Sequence, residues 1–534
     1  MKRHILYSVL GSMAMTALTG CYDLKTEPLN QYVTEDQKVQ VKNDNPEMAR
    51  ASITGITGLF STFEQIVEAD VDYGYPSVML MLDSRGVDMV SQDMGYNWYT
   101  WNAEMSDCDP TSYLSRLGWQ HPYRQVFAAN AALSSLDYES EDPEIQFYLA
   151  QAYAIRAYDY FNLAQIYQFT YKGNEEKACV MLITEKNSEE VAANGCKRST
   201  VKETYDQILY DINEAIRLLE ESGVRPEQVL DSKPKRFVSL ATAYGIRARV
   251  NLVMNNWAEA AADAQKAIEN FRGKPMSMET ASHPGLSSID EDNWMWGVAI
   301  AETDRVVTSG IINWPSHLGS LNYGYANAGA WRMCNIALYN SIPRTDVRRN
   351  WFLDVDGYSA GLSEAQQNLC TSSSMPAYTQ VKFAPYKGEL ETSTNANDVP
   401  LMRIEEMYYL LAEATAMSGG DGASILNRFV QTYRNPAYNF AGSGEAVQEE
   451  CWQQRRVELW GEGLTTFDLL RLKKPFDRRG GGWEAKWVYN IEPTNNVLIM
   501  PIPQNEINGN QAVTELDNNP SASMPTPVTD YEYE

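Results

Sequence analysis

Histidine and positive charge are both scarce in this sequence. Only four of the 534 residues are histidine, and 44 lysines and arginines stand against 70 aspartates and glutamates, which gives a formal charge of −26. A nucleic-acid-binding protein needs a basic surface, so this balance argues against that class and against electrostatic docking on anionic lipid. Because His4 lies in an N-terminal apolar segment, three scattered histidines remain. A histidine-rich metal site is therefore not expected.

Long hydrophobic runs are also missing after residue 20, so we expect no transmembrane helix. The N-terminus has a shorter apolar segment at 5–18, preceded by Lys2 and Arg3 and followed by Leu18-Thr19-Gly20-Cys21. This order is typical of a cleaved export signal, and its last four residues resemble the lipobox of bacterial lipoproteins. We predict a signal peptide at 1–20 and a lipid on Cys21 as the only membrane attachment. A plain secretory signal with an incidental cysteine is the alternative.

Cysteine motifs for metal or redox chemistry are absent. Six cysteines remain beyond Cys21, and none forms a CxxC pair or a Cys/His cluster, which argues against zinc and thioredoxin-like sites. Export would permit disulfides, although sequence cannot choose among the pairings. Cys179 and Cys196 are the closest pair and flank a polar segment, so they are the best candidates for a disulfide.

Catalytic motifs are missing as well. The chain has no GxGxxG before a helix, no GxxxxGK[ST], no HExxH and no GxSxG. Carboxylates are too numerous to rule out a hydrolytic pair, but none stands out. We therefore predict a protein that is not an enzyme and has no cofactor. Calcium binding through loop acids stays open, although the acids at 354–357 form too short a fragment for an EF-hand.

What the sequence does contain is helical periodicity. Asp142 and Pro143 are typical of a helix start, and the run at 145–167 is apolar around most of its circumference, which predicts a helix packed between neighbours. Thr200 and Glu203 form a predicted capping box before a second amphipathic helix, which Gly223 ends.

The next segment resembles a tetratricopeptide repeat. Apolar and small residues recur at helical spacing over 237–252 and 257–268, on either side of the turn Asn255-Asn256. We predict a mostly α fold of tetratricopeptide-repeat-like helical hairpins with long loops. Residues 94–125 and 275–400 are rich in Gly, Asn, Ser and aromatics with weak periodicity, and the second stretch predicts a loop-rich excursion on the helical frame.

Aromatic residues are the strongest functional signal. Four of them fall within six residues beside Asn102: they are Tyr96, Trp98, Tyr99 and Trp101. Sugar rings pack an apolar face on an indole while their hydroxyls bond amides and carboxylates, so an exposed cluster of this kind predicts a carbohydrate platform. A packed aromatic plug under the loop is the alternative.

Other candidate ligand-binding residues lie outside this cluster. Arg85 and Asp88 precede it and are candidates for polar contacts, with a helix-surface charge pair as the alternative. A second aromatic set consists of Trp294, Trp296, Trp314, Tyr323, Tyr325 and Trp331. For any single member of this set, burial is favoured over a ligand contact.

The C-terminal part carries a more specific pattern. Residues 455–463 read RRVELWGEG and residues 467–471 read FDLLR, which resembles the signature of the SusD/RagB family of outer-membrane nutrient-binding lipoproteins. Similar stretches occur, in the family's order, at 154–167, at 400–414 and at 499–503 with Glu506 and Asn510. The ending at 516–520 departs from the family's usual pattern. The resemblance covers nearly all of the chain beyond Cys21 and is weakest over 275–400.

The resemblance implies a single SusD-like helical domain over 21–534 that binds a ligand on its loop face. It further implies a lipid-anchored protein on the cell surface that captures oligosaccharide and delivers it to a SusC-like TonB-dependent transporter. A peptide-binding, RagB-like member with a deeper, less aromatic pocket is one alternative, and a helical-repeat scaffold that binds only protein is another. Within the signature, the spacing of Arg455, Glu458, Glu462, Asp468 and Arg471 favours structural charge pairs over a hydrolytic carboxylate pair.

Overall fold

The computed structural model describes residues 46–95, 98–230 and 232–529. The predicted signal peptide, Cys21 and Tyr96 lie outside these residues. None of the described helices is long and apolar enough to cross a membrane.

Helices dominate the described part of the chain, as predicted. The first ten are α1 Pro46–Gly58, α2 Tyr75–Arg85, α3 Thr100–Ala103, α4 Tyr113–Ser135, α5 Pro143–Tyr167, α6 Ser188–Asn194, α7 Val201–Ser222, α8 Pro226–Val229, α9 Leu240–Met254 and α10 Trp257–Asn270. The others are α11 Met278–Ala281, α12 Arg305–Thr308, α13 Trp314–Leu318, α14 Ile336–Ser341, α15 Glu364–Ser372, α16 Ile404–Met417, α17 Gly422–Tyr433, α18 Glu445–Glu458, α19 Thr465–Arg471 and α20 Gln504–Gly509.

The strands are short and pair two by two in antiparallel ladders. They are β1 Met89–Val90, β2 Ala178–Met181, β3 Arg198–Thr200, β4 Trp294–Val298, β5 Met333–Cys334, β6 Val399–Arg403, β7 Phe476–Asp477 and β8 Asn490–Ile491. The pairs are β1 with β5, β2 with β3, β4 with β6 and β7 with β8.

The predicted helix starts are confirmed. The Asp142 carboxylate accepts the amide of Glu144 at 2.8 Å, which satisfies an N–H group at the start of α5 that has no partner within the helix. Before α7, the Glu203 amide donates to the Thr200 hydroxyl at 3.1 Å, and the Thr200 amide donates to the Glu203 carboxylate at 2.8 Å. Gly223 ends α7 in the left-handed conformation, at φ 61°.

Helix α5 is buried along almost its whole length, between α4 and α7. A helix that is apolar around its whole circumference is buried in this way, because each of its faces must pack against another element to leave water. The hairpin of α9 and α10 turns at Asn255, whose φ of 64° permits the tight connection, and α10 also packs on α16. This pair confirms the repeat-like hairpin.

One ladder joins the two ends of residues 299–398, which form most of the loop-rich excursion. Val298 of β4 pairs with Val399 of β6, so the intervening segment leaves and rejoins the frame at neighbouring positions. The excursion has a small apolar cluster of its own, made of Leu321, Leu353, Leu369, Cys370, Met375 and Val381. It also supplies large side chains to the main core. The assignment of residues 21–534 to one domain stays a prediction.

The disulfide prediction is wrong. All six cysteines of the described residues carry free thiols, Cys179 and Cys196 included. Cys179 is buried on β2, whereas the Cys196 thiol, just before β3, donates to the carbonyl oxygen of Lys197 at 3.4 Å. Burial raises the pKa of Cys179 to about 11, which favours the unreactive thiol form.

Candidate ligand-binding site

An open cleft of about 410 Å³ lies beside the predicted aromatic loop. Its lining combines one exposed indole with a phenol, carboxylates and hydroxyls: Trp101, Asn102, Ser106, Asp107, Asp109, Thr111, Ser112 and Tyr113. Trp101 is 52% exposed, and its ring centroid lies 5.3 Å from that of Tyr113 at an interplanar angle of 58°. The two rings therefore form an angled apolar corner next to polar groups.

Local sequence explains how this corner is held. Trp101 lies on the short helix α3, and Tyr113 is the first residue of α4, whose N-terminus is capped by the Ser112 side chain accepting the Ser115 amide at 3.1 Å. Between them, the Asp109 carboxylate accepts the amide and the hydroxyl of Thr111, at 2.8 and 2.5 Å. This turn fixes the loop that separates the two aromatic side chains.

A buried ion pair anchors the floor of the cleft. Arg85, at the end of α2, pairs with Asp107, and the Asn102 side-chain amide donates to the other Asp107 oxygen at 2.6 Å. Burial lowers the pKa of Arg85 to about 10, so the guanidinium still carries its charge at neutral pH. Arg85 and Asn102 are both buried, so they position the loop from below and present little surface to a ligand.

The remaining aromatic residues of the loop divide between core and surface. Tyr99 is fully buried, where its hydroxyl bonds that of Tyr73 and the Arg332 guanidinium lies 5.0 Å from its ring. Burial raises its pKa to about 12. Tyr99 is therefore part of the packed plug and not of an exposed platform. Tyr96 lies outside the described residues.

Trp98 connects the loop to the second aromatic set. It is half-buried and packs on the main core. The Tyr325 hydroxyl donates to Asp70, and the pKa of Tyr325 is raised to about 12 by burial and by that carboxylate, with the Trp98 indole acting in the opposite direction. The structure thus brings Trp98 beside Tyr325, although the two residues are 227 positions apart in the sequence.

Most of the second aromatic set is core, which corrects its interpretation as a ligand surface. Trp294 and Trp296 are fully buried on β4. All five residues of this strand are buried, so neither of its faces reaches solvent. Trp314 is buried edge-on against Phe383, with ring centroids 4.9 Å apart. Trp331 is half-buried against the excursion's own cluster. Tyr323, at 50% exposure, is the member of this set that presents a ring to solvent.

The prediction that Asp88 contacts a ligand is also wrong. It is buried and binds Arg456 of the signature helix α18 at 2.6 Å, so it forms neither a ligand contact nor a surface pair with Arg85. The charge partner lies 368 positions away in sequence, which no local spacing could indicate.

The signature charges form a buried structural network. Glu458 is fully buried and accepts hydrogen bonds from Arg434 at 2.7 Å, Arg403 at 3.1 Å and Arg348 at 3.3 Å. Glu462 binds Arg403 and Lys382 at 2.7 and 2.6 Å. Although burial opposes ionisation, the surrounding cations hold the pKa of Glu458 well below its usual range. The carboxylates are fully occupied by cations and closed to solvent, which supports the structural interpretation.

Not every pair in this network follows the spacing that predicted it. Arg471 does bind Asp468 three residues before it, at 2.6 Å. Arg455 does not pair with Glu458, and binds Asp468 at 2.7 Å and Glu406 at 3.5 Å. The partners come from α16, α19 and the excursion, so the network joins separate elements and does not only fix one helix end.

Tyr113, Asp107, Asp109, Thr111 and Ser106 are lining residues that the sequence reasoning missed. Their signal is the polar run at 106–112, which begins a few residues after the aromatic cluster and directly precedes Tyr113. The sequence reasoning treated 94–125 as one weakly periodic stretch, but α4 already begins at residue 113 because Ser112 caps it.

No metal site emerges from the described residues: no group of three or more His, Cys, Asp or Glu side chains there could hold an ion. In the acidic fragment at 354–357, the Asp354 carboxylate accepts the amides of Asp356 and Tyr358, both at 2.9 Å. This side chain stabilises its own turn. Structural calcium stays an untested prediction.

Comparison with known proteins identifies the fold. Two family models match, one described as "Starch-binding associating with outer membrane" over residues 62–252 and one as "SusD family" over residues 355–521. No curated protein matches the chain. Among solved structures, a SusD-like carbohydrate binding protein from Bacteroides vulgatus ATCC 8482 is 21% identical, with a TM-score of 0.73, and the match covers 90% of this chain and 99% of that one.

Two further structural matches carry ligand names in their own descriptions. Surface glycan-binding protein A from Bacteroides thetaiotaomicron, in complex with laminarihexaose, is 17% identical over 89% of this chain and 99% of that one, with a TM-score of 0.62. A laminarin binding SusD-like protein is 19% identical over 87% and 98% of the two chains, with a TM-score of 0.59. The fold is therefore that of the SusD superfamily. With both family models matched, in the order that the signature stretches indicate, the chain belongs to the SusD/RagB family.

Proposed function

We propose that this protein is a cell-surface glycan-binding lipoprotein that captures oligosaccharide in the cleft at Trp101 and delivers it to a SusC-like TonB-dependent transporter. The observation that carries the proposal is the exposed corner of Trp101 and Tyr113 beside Asp109 and Thr111. An indole and a phenol offer apolar faces to the C–H face of a sugar, and the polar lining offers acceptors and donors to its hydroxyls. The glycan-binding titles of the structural relatives support the same ligand class.

Binding without catalysis is part of this proposal. The carboxylates Glu458 and Glu462 that could suggest a hydrolytic pair are buried among arginines, and Asp107 is neutralised by Arg85. Of the two acids that line the cleft, Asp109 is exposed and Asp107 is buried, so the lining itself supplies no second exposed acid to act with Asp109. An oligosaccharide recovered after incubation with the protein is expected to have its original length.

Replacing Trp101 by alanine tests the site. Stacking on an aromatic side chain contributes about 1–3 kcal/mol per ring, by analogy with base stacking, so glycan affinity should fall roughly five- to hundredfold. Because Trp101 is half-exposed on a short helix, the melting temperature should hardly change. Isothermal titration with the oligosaccharide selected from a glycan array measures the first quantity, and thermal unfolding measures the second.

Trp98→Phe is the matched control, since this half-buried indole packs on the core and phenylalanine preserves much of that packing. We expect it to bind glycan within about twofold of wild type. Unchanged glycan affinity in Trp101→Ala would contradict the proposal. An equal loss of affinity in both variants would indicate that the ligand binds nearer to Trp98 and Tyr325.

A second candidate function is peptide binding, which a specific cavity favours. A pocket of about 570 Å³ lies between the end of α7 and the start of α9, with apolar walls that include Leu219, Phe237, Leu240 and Met295. Its volume exceeds that of the cleft at Trp101, and its apolar walls suit apolar side chains of a peptide. The exposed aromatic corner favours glycan as the primary ligand, and a titration with short apolar peptides separates the two.

Lipid anchoring is proposed from the sequence at Cys21 and is tested by fractionation. The Cys21→Ala variant is expected to leave the membrane fraction and to appear as folded soluble protein, because the lipid would be the only attachment. Wild type should remain with membranes until detergent is added. A variant that withstands carbonate washing in the membrane fraction would contradict the lipoprotein assignment.

A further inference from the structure

The cleft at Trp101 carries negative charge and no compensating cation at its surface. Of the described residues that line it, none is lysine or arginine, and two are aspartates. The guanidinium of Arg85 is buried beneath the floor and paired with Asp107. Glu104, beside the lining, accepts the Ser106 hydroxyl at 2.6 Å and adds a further carboxylate. Asp109 is exposed, and no lysine or arginine within the described part of the chain forms an ion pair with it.

The hydrogen bonds of Asp109 define what it offers a ligand. Its Oδ1 atom accepts both the amide and the hydroxyl of Thr111. Its Oδ2 atom accepts from no described residue, so two lone pairs at the cleft surface are available to hydroxyl donors. A neutral sugar supplies such donors in abundance. A ligand carboxylate or sulfate supplies only acceptors and brings a second negative charge within reach of the first.

We propose that this cleft selects neutral oligosaccharides against uronate- or sulfate-bearing ones, with Asp109 as the residue that sets the selectivity. The inference rests on the proposed glycan-binding function and names its ligand class. Like charges a few ångströms apart at a protein surface repel enough to reduce affinity about tenfold. The overall charge of −26 acts in the same direction at longer range but is screened at physiological ionic strength. The repulsion from Asp109 acts over a short distance, so it persists at physiological ionic strength.

The experiment uses a matched panel of oligosaccharides. Hexasaccharides of glucan, mannan and galactan type are each presented in three forms: neutral, oxidised to the carboxylate at C6, and oxidised then methyl-esterified. The ester keeps the added bulk without the charge. For the best neutral binder, we expect the carboxylate form to bind about tenfold more weakly, and the ester to recover most of that loss.

Asp109→Asn is the diagnostic variant, because asparagine keeps an Oδ1 acceptor for Thr111 and removes the charge. In this variant, the difference in affinity between the neutral and carboxylate forms should fall to about two- or threefold. Glu189→Gln, an exposed acid on α6, is the control and should leave that difference unchanged. Trp101→Ala should weaken all forms together, which shows that they share the cleft.

The possible failures are distinct. A folded wild-type protein that binds no form in the panel would contradict the proposed glycan-binding function. Carboxylate forms that bind as well as neutral ones would leave that function intact and overturn the selectivity. A wild-type preference for neutral forms that survives unchanged in Asp109→Asn would place the selectivity elsewhere and overturn the role of this residue.

Discussion

Replacing Glu458 by alanine is expected to lower the free energy of unfolding by about 3–5 kcal/mol, because the change leaves buried guanidinium groups without their anion. Three arginines donate to this fully buried carboxylate, and they come from different parts of the chain: Arg348, Arg403 and Arg434. The loss therefore loosens the contacts between the excursion, β6 and α17, as well as α18 itself. Chemical denaturation followed by tryptophan fluorescence measures the effect.

The pH dependence gives this prediction a second readout. Burial opposes ionisation, but the arginines hold the pKa of Glu458 well below its usual range. A carboxylate with a lowered folded-state pKa adds stability above its unfolded pKa and loses it as the pH falls through the folded pKa. The difference in the free energy of unfolding between wild type and Glu458→Ala should therefore be largest near neutral pH and should decrease in acid.

Glu445→Ala is the matched control on the same helix, since this exposed acid lies in the first turn of α18, where its charge interacts favourably with the helix N-terminus. Its expected cost is about 0.3–1 kcal/mol. If Glu458→Ala were no more costly than Glu445→Ala, the buried network would contribute nothing to the fold.

Replacing Trp296 by alanine is the second large effect, also expected at about 3–5 kcal/mol of stability. The indole is fully buried on β4, its ring lies 4.8 Å from Tyr158 and 5.3 Å from Phe60, and its N–H donates to the Arg236 carbonyl at 3.1 Å. Truncation would leave a cavity and an unpaired carbonyl oxygen. The melting temperature should fall by several degrees while glycan affinity per folded molecule stays unchanged.

Trp296→Phe keeps one aromatic ring in the site and removes the N–H group together with the smaller ring of the indole, so it leaves a smaller cavity than alanine does. We expect it to cost less than the alanine variant. Glycan affinity lost in the folded fraction of either Trp296 variant would show that β4 belongs to the ligand site, against the burial seen in the structure.

Helical architecture was largely predictable because its signals are local. The Asp142 cap, the Thr200 capping box and the Asn255 turn each depend on residues a few positions apart, and the structure confirms them. The family signature was recognisable for the same reason. Short motifs at fixed spacing survive in the sequence even where their partners are distant.

The candidate site was predictable only in part. Trp101 was expected at the surface and is there, whereas the neighbouring Tyr99 is core, and both occur in the same Gly- and Asn-rich loop. Composition cannot separate them because exposure depends on distant residues such as Tyr73 and Arg332. Likewise, Asp88 and Glu458 find their partners across hundreds or tens of positions, which periodicity does not encode.

The unpaired cysteines have a practical consequence for solution work. Five of the six described thiols are buried, and Cys196, next to the β2–β3 ladder, is the partly accessible one. A maleimide dye applied to the native Cys21→Ala protein should therefore react mainly at one position. The backbone amide of Cys196 donates to the side-chain oxygen of Asn510, just beyond α20, and the backbone carbonyl of Cys196 accepts from the side-chain amide of Asn510. A fluorophore on Cys196 would therefore report on the docking of the C-terminal segment. Reducing agents, for their part, break no cross-link among the described residues and should leave the melting curve unchanged.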